Sequence, residues 1–241
     1  MTNISIVIPA RNEADNICTL VMDIDAAMQP LGSFEIIVVD DGSTDETAAK
    51  VQALRMPHVR LLRHPNSAGQ SAAVHTGVLA ARSPFVCTLD GDGQNPPEEL
   101  PKLVAPLLAD HAGVIGLVAG QRVKRQDTWS KKLASRLANQ LRGWLLKDGT
   151  RDTGCGLKAF RREAFLALPY FNHMHRYLPA LFARDGWAVA HVDVSHRPRL
   201  AGSSNYSNLQ RALVGAVDLL GVAWLLRRRK TSKALPEETN V

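Results

Sequence analysis

Cysteine is scarce: Cys18, Cys87 and Cys155 are the only three in 241 residues, and no two form a CxxC pair. An odd, widely spaced set suits neither a zinc cluster nor a secreted disulfide framework, so a reducing compartment is expected. The first residues, Met1-Thr2-Asn3-Ile4-Ser5, have no basic segment and no long apolar stretch, so no signal peptide is visible. Low-complexity tracts are missing as well, which excludes collagen and extended disorder. Neither GxGxxG after the first apolar run nor GxxxxGK[ST] anywhere is present, so dinucleotide and P-loop fingerprints are excluded.

What is present is 45% hydrophobic residues, enough to close one sizeable core. The net charge of +6 hides an asymmetry. Residues 1–100 carry 6 Lys+Arg against 13 Asp+Glu, and residues 101–241 carry 23 against 10. A uniformly basic nucleic-acid binder would not look like this, and no nucleic-acid partner is expected. The pattern suits a carboxylate-rich half that holds a cation and a basic half that meets phosphates or an anionic membrane.

Short apolar runs alternate with helical patterns over the first 120 residues. Strands are expected at Ile4–Ile8, Glu35–Val39, Val59–Leu62, Phe85–Leu89 and Val114–Gly120. Helices are expected over Ala14–Met28, behind Ser43 with Glu46 completing a capping box, over Gln70–Ala81, and from Pro96-Pro97-Glu98-Glu99. Repeated β-α units with nearly continuous apolar strands imply an α/β fold, a mostly parallel sheet with helices on both faces. Later segments add a basic helix at Ser130–Leu146, an apolar helix near Tyr177–Ala183 and a strand at Ala188–Val194. No linker divides the chain, so residues 1–207 read as one domain.

Open parallel sheets bind ligands at the carboxyl ends of their strands. The polar clusters Pro9–Glu13, Asp40-Asp41-Gly42-Ser43 and Asp90-Gly91-Asp92-Gly93-Gln94 all fall there. Asp90 and Asp92, one residue apart on a turn, can converge on a hard cation, with Gly91 letting the backbone bend and Gln94 adding a neutral oxygen. Mg2+ or Mn2+ suits such donors. Asp40 is expected to contact the ligand and Asp41 to be mainly structural. Glu13 suits a ribose or base, and Arg11 a phosphate.

Pro-Ala-Arg-Asn-Glu, Val-Val-Asp-Asp-Gly-Ser-Thr-Asp, Asn66-Ser67-Ala68-Gly69 and Leu-Asp-Gly-Asp-Gly-Gln-Asn-Pro-Pro-Glu together resemble glycosyltransferase family 2, in the version found in dolichyl-phosphate mannosyltransferases and bacterial polyprenyl-phosphate sugar transferases. The resemblance covers roughly residues 3–210. It implies a GT-A fold, a nucleotide-sugar donor and a divalent cation. By matching motifs, Pro9, Arg11, Glu13, Val38, Asp40, Asp90 and Gly91 would line the nucleotide, and Asp92 with Gln94 would hold the metal. Arg11 stands where the family often has Tyr, and Asn95 where it often has His.

Residues 122–151 contain nine Lys+Arg and two acids. Arg122 follows the fifth strand, and Arg136 and Asn139 share a helix face. An arginine fork suits a terminal phosphate. The resemblance places Arg122, Arg136 and Asn139 where the family meets donor and acceptor phosphates, and Arg199 in a loop that closes over the donor. Asp152 is a further candidate.

Ala212–Leu226 is apolar apart from Asp218 and ends in Arg227-Arg228-Arg229-Lys230. Fifteen helical residues span about 22 Å, short of a hydrocarbon core of about 30 Å. Residues 208–230 therefore read as an amphipathic helix at an anionic interface, on the cytoplasmic face of a membrane, with 231–241 a flexible tail. Packing on the domain, or a contact between two copies of the chain, is the alternative.

The expected reaction is inverting transfer of a sugar from a nucleotide sugar to a polyprenyl phosphate, with Asp92, Arg122 and Arg136 as its catalytic residues. Two other readings stay open: a glycan hydroxyl as acceptor, which needs a base such as Asp152, and a non-catalytic membrane-associated scaffold of the same fold.

Overall fold

A computed structural model describes residues 3–123, 142–143, 145–146, 148–197 and 208–229. Seven strands form one sheet: β1 (Ile4–Ala10), β2 (Phe34–Asp40), β3 (Val59–Arg63), β4 (Phe85–Thr88), β5 (Ile115–Arg122), β6 (Lys158–Arg161) and β7 (Ala188–Val194). Their order is β3-β2-β1-β4-β6-β5-β7. The β1–β2, β2–β3, β1–β4 and β5–β7 pairs are parallel, and only β6 runs against its neighbours β4 and β5. Because β7 lies in the same sheet as β1, the second half of the chain completes the domain that the first half begins.

Successive side chains of a strand point to opposite faces, and here both faces are dry. Ile4, Ile6 and Ile8 of β1 and Ile36 and Val38 of β2 pack with α1 (Ile17–Met28), α2 (Thr47–Ala53) and α4 (Leu100–Leu108). Val7, Ile37 and Val39 face α3 (Gln70–Ala80), α5 (Arg162–Leu166), α6 (Leu178–Arg184) and α7 (Asn208–Arg227). That double burial explains why the strands read as continuous apolar runs. Each such side chain contributes about 1.5–3 kcal/mol by leaving water.

The capping box expected behind Ser43 does not form. The helix starts later, at Thr47, where Asp45 accepts from the Thr47 backbone N–H at 3.0 Å. Ser43 is used elsewhere: its hydroxyl accepts the Asn12 N–H at 3.0 Å, and its own N–H goes to Asp40. Lys158–Arg161 forms β6, and the parallel run of strands is interrupted there.

The last helix packs one face and exposes the other. Leu219, Val222, Ala223 and Leu226 join the α3–α6 layer, while Val214, Val217, Leu220 and Trp224 stand in solvent. Asp218 turns towards the fold, its carboxylate 2.8 Å from His173 Nδ1. The packing and open-face alternatives thus coexist on one helix. No described helix is long and apolar enough to cross a membrane.

Candidate active site

Four loops at the carboxyl edge of the sheet are laced together. Asn12, with a left-handed φ of 55°, takes the Thr44 N–H on its side-chain oxygen at 2.8 Å, and the Glu13 N–H reaches Thr47 Oγ1 at 2.9 Å. Asp41 gathers the β3–α3 loop: it accepts from His64 Nδ1, Ser67 Oγ and the backbone N–H groups of Ala68 and Gly69, all within 2.7–2.9 Å. Burial works against its ionisation, but those four donors outweigh it and hold the carboxyl below the usual range.

The lacing leaves an open cleft of about 360 Å³. Pro9, Arg11, Glu13, Asp90, Gly91 and Asp92 line it, as do Asp41, Ser67, Gly69 and Gln70. Gly91 is needed for close approach: a Cβ there would lie 3.1 Å from the Pro9 carbonyl oxygen. Asp90 accepts from Gln70 Nε2 at 2.6 Å and Asn95 Nδ2 at 3.2 Å. Burial, followed by the charge of Asp92, pushes the Asp90 carboxyl upward, while Lys158, the Asn95 hydrogen bond and Arg122 oppose that shift. Asp92 Oδ1 accepts the Gln94 N–H at 3.1 Å. Gln94 lies beside the cleft rather than on its wall, and its carbonyl takes the Arg197 N–H.

Several expected residues sit elsewhere. Val38 is wholly buried in the core of β2, because strand alternation turns it towards α1 and α4. Asp40 ends β2 but is also fully buried, with one oxygen on the Ser43 N–H and the other on Arg63 Nε. Asp41 organises a loop, as expected, and also stands on the cleft wall, whereas Asp40 is buried and off that wall. Arg122 ends β5, on the expected edge, yet it is not on the cleft wall and its guanidinium is already engaged. Asp152 receives Nε at 2.5 Å and Nη2 at 2.9 Å, and this pairing holds the arginine firmly charged. Arg136, Asn139 and Arg199 lie outside the described residues.

Three contributors escaped sequence reasoning. Gln70 opens α3 directly after Gly69, so the strand-end rule applied to β3 would have found it. Asn95, noted only as a departure from the family pattern, holds Asp90. Lys158 begins β6 and is buried, its ammonium bonded to the Cys155 carbonyl.

The "Glycosyl transferase family 2" model matches residues 5–168. Two undecaprenyl-phosphate 4-deoxy-4-formamido-L-arabinose transferases are similar: that of Enterobacter sp. (strain 638) is 37% identical over 209 residues, and that of Sodalis glossinidius (strain morsitans) is 35% identical over 208. Each alignment takes in 85% of this chain but only 62% and 63% of those proteins, so the chain spans less than two thirds of these relatives' length. Among solved structures, glucosyl-3-phosphoglycerate synthase from Mycobacterium tuberculosis, in complex with Mn2+, UDP and glucosyl-3-phosphoglycerate, superposes with a TM-score of 0.69 at 23% identity, covering 96% of this chain and 82% of that one. Mannosyl-3-phosphoglycerate synthase from Rubrobacter xylanophilus gives 0.72 at 19% identity, covering 98% and 78%. These two likenesses establish a shared fold. With the matched region running from β1 through α5 and carrying every wall of the cleft, the chain belongs to glycosyl transferase family 2.

Proposed function

We propose that this chain transfers a sugar, with inversion, from a nucleotide-sugar donor to a polyprenyl phosphate. The observation that carries the reading is the cleft at the carboxyl edge, walled by Arg11 and Glu13 on one side and Asp90-Gly91-Asp92 on the other. The relatives named for undecaprenyl phosphate support the choice of acceptor.

A divalent cation, Mg2+ or Mn2+, fits the donor set. Asp90 and Asp92 are neighbouring hard-oxygen ligands whose mutual repulsion helps raise Asp90. Among the described residues no group of three His, Cys, Asp or Glu could hold a metal. Asp92, Asp90 and Gln94 would therefore share the ion with donor oxygens and water. When bound, the ion offsets charge growing on the departing diphosphate.

The chain's own residues bind and orient. Arg11 is exposed on the wall and suits a donor phosphate, and Glu13 suits the ribose or base. A phosphate monoester has a second pKa of about 6 and is mostly dianionic near neutrality. Such an acceptor needs positioning more than a general base. Arg122 would serve that purpose with the guanidinium N–H groups that Asp152 leaves unused, and Arg136, Asn139 and Arg199 are the further candidates for phosphate binding.

The exposed stripe Val214, Val217, Leu220 and Trp224 would rest on an anionic membrane, with Arg228 stacked 5.6 Å over the Trp224 ring. Incubation with undecaprenyl phosphate, a panel of nucleotide sugars and Mn2+, followed by mass spectrometry of the lipid, tests the reading. A glycosylated phospholipid is expected. Transfer only to a soluble glycan, or no transfer from any donor, would refute it.

A further inference from the structure

Lys158 is the only buried lysine among the described residues, 5% exposed. β6 carries it into the middle of the sheet, paired across to Thr88 of β4 and Ala119 of β5. Those two strands lead to Asp90 and Arg122 respectively. The ammonium makes one hydrogen bond, to the Cys155 carbonyl, and feels the charges of Asp90 and Asp152. Burial depresses its pKa, and the Cys155 thiol and the two carboxylates partly restore it.

The turn that Lys158 fastens is also the back wall of Asp90. A Cβ on Gly156 would fall 2.3 Å from Asp90 Oδ2, so only glycine lets the carboxylate lie against this backbone. Thr88 Oγ1 fastens the same turn by donating to the Gly156 carbonyl at 3.0 Å. One buried lysine thus fastens the turn that packs against Asp90, within reach of the charges of Arg122 and Asp152.

We propose that Lys158 is a positioning residue that tempers the negative potential of Asp90 and Asp92, so that the site takes a divalent cation together with a diphosphate rather than ahead of it. A buried positive charge acts through a low effective dielectric and repels an approaching dication more strongly than a surface lysine would. A bound diphosphate would bring the missing negative charge. This inference rests on the nucleotide-sugar reading for the diphosphate but not on the identity of the acceptor.

The test is Mn2+ binding to the full chain, followed by electron paramagnetic resonance, with manganese alone and with added UDP or GDP. The intact protein is expected to bind Mn2+ weakly alone and more tightly with one of the diphosphates. Lys158→Met should bind Mn2+ alone about tenfold more tightly, with the gain from diphosphate correspondingly smaller. Lys158→Arg keeps the charge and should retain the weak lone binding, which also covers the case in which the methionine variant fails to fold. Unchanged or weaker lone Mn2+ binding in Lys158→Met, or tight lone binding in Lys158→Arg, would overturn the proposal and leave Lys158 as a structural prop. Absence of Mn2+ binding to the intact protein under both conditions would overturn the cation site itself. Failure to glycosylate polyprenyl phosphate, with the binding shifts intact, would count against the acceptor alone.

Discussion

Along the ends of β2 and β4 the buried Asp40 is paired with Arg63, whereas the two acids on the cleft wall, Asp41 and Asp90, are held by hydroxyl, imidazole, amide and backbone donors. Asp41 has a hydroxyl, an imidazole and two backbone N–H groups, and Asp90 has two side-chain amides. Around β5 and β7, every described arginine between residues 122 and 151 is met by an acid: Arg122 by Asp152, Arg142 by Asp148 and Arg151 by Asp193. Neutral donors orient a carboxylate without cancelling its charge, whereas an ion pair cancels it. The carboxylates on the cleft wall are thus oriented chiefly by hydrogen bonds, with Lys158 and Arg122 acting on Asp90 from behind. The described arginines of the basic segment are all ion-paired, two of them inside the fold and Arg151 at its surface.

The sharpest way to break this comparison is to remove one acid of the rim. Asp92→Ala should lower turnover by 10³-fold or more, since metal-assisted charge stabilisation supplies several kcal/mol; a lipid-glycosylation assay with Mn2+ would reveal it. On the other side, Asp152→Ala strands a mostly buried Arg122, with side chains 14% and 13% exposed in the pair. Breaking such a pair costs about 3 kcal/mol, readable from the urea midpoint. Arg122→Ala should chiefly raise the apparent KM for the lipid phosphate.

Asp41→Asn should cost about 2 kcal/mol, because it replaces an acceptor of four donors. The pH dependence has a definite sign. The folded Asp41 carboxyl lies below its ordinary value of 3.8, so its contribution is complete above that value and fades as pH falls through the lowered one. Acid titration of stability should consequently be flatter in Asp41→Asn than in the native protein. The smallest effect on stability is expected at Trp224, 59% exposed. Trp224→Ala should change stability by less than about 0.5 kcal/mol yet weaken binding to anionic vesicles several-fold in a sedimentation assay.

Much of this was legible in the residues. β1, β2 and β3 lie where their apolar runs predict, and Ala188–Val194 forms β7 over the expected span. The cleft wall holds Pro9, Arg11, Glu13, Asp90, Gly91 and Asp92 because a strand delivers whatever follows it to the carboxyl edge. Val38 and Asp40 are buried rather than on the cleft wall, and a motif match does not say which member of a strand faces inward. The alternation of β2 does: Val38 packs in the core and Asp40 stays buried.

Periodicity and turn chemistry are local, and they alone determined the α/β class, the strand positions and the acidic clusters at the strand ends. Strand order is not local. That a four-residue segment, Lys158–Arg161, would slip antiparallel between β4 and β5 was decided only by tertiary pairing and burial. Segments 70 residues apart in sequence can become neighbours whenever doing so closes a sheet and dries both its faces. That insertion set Gly156 against Asp90, brought Asp152 onto Arg122, and turned an unremarkable lysine into the buried cation behind the site.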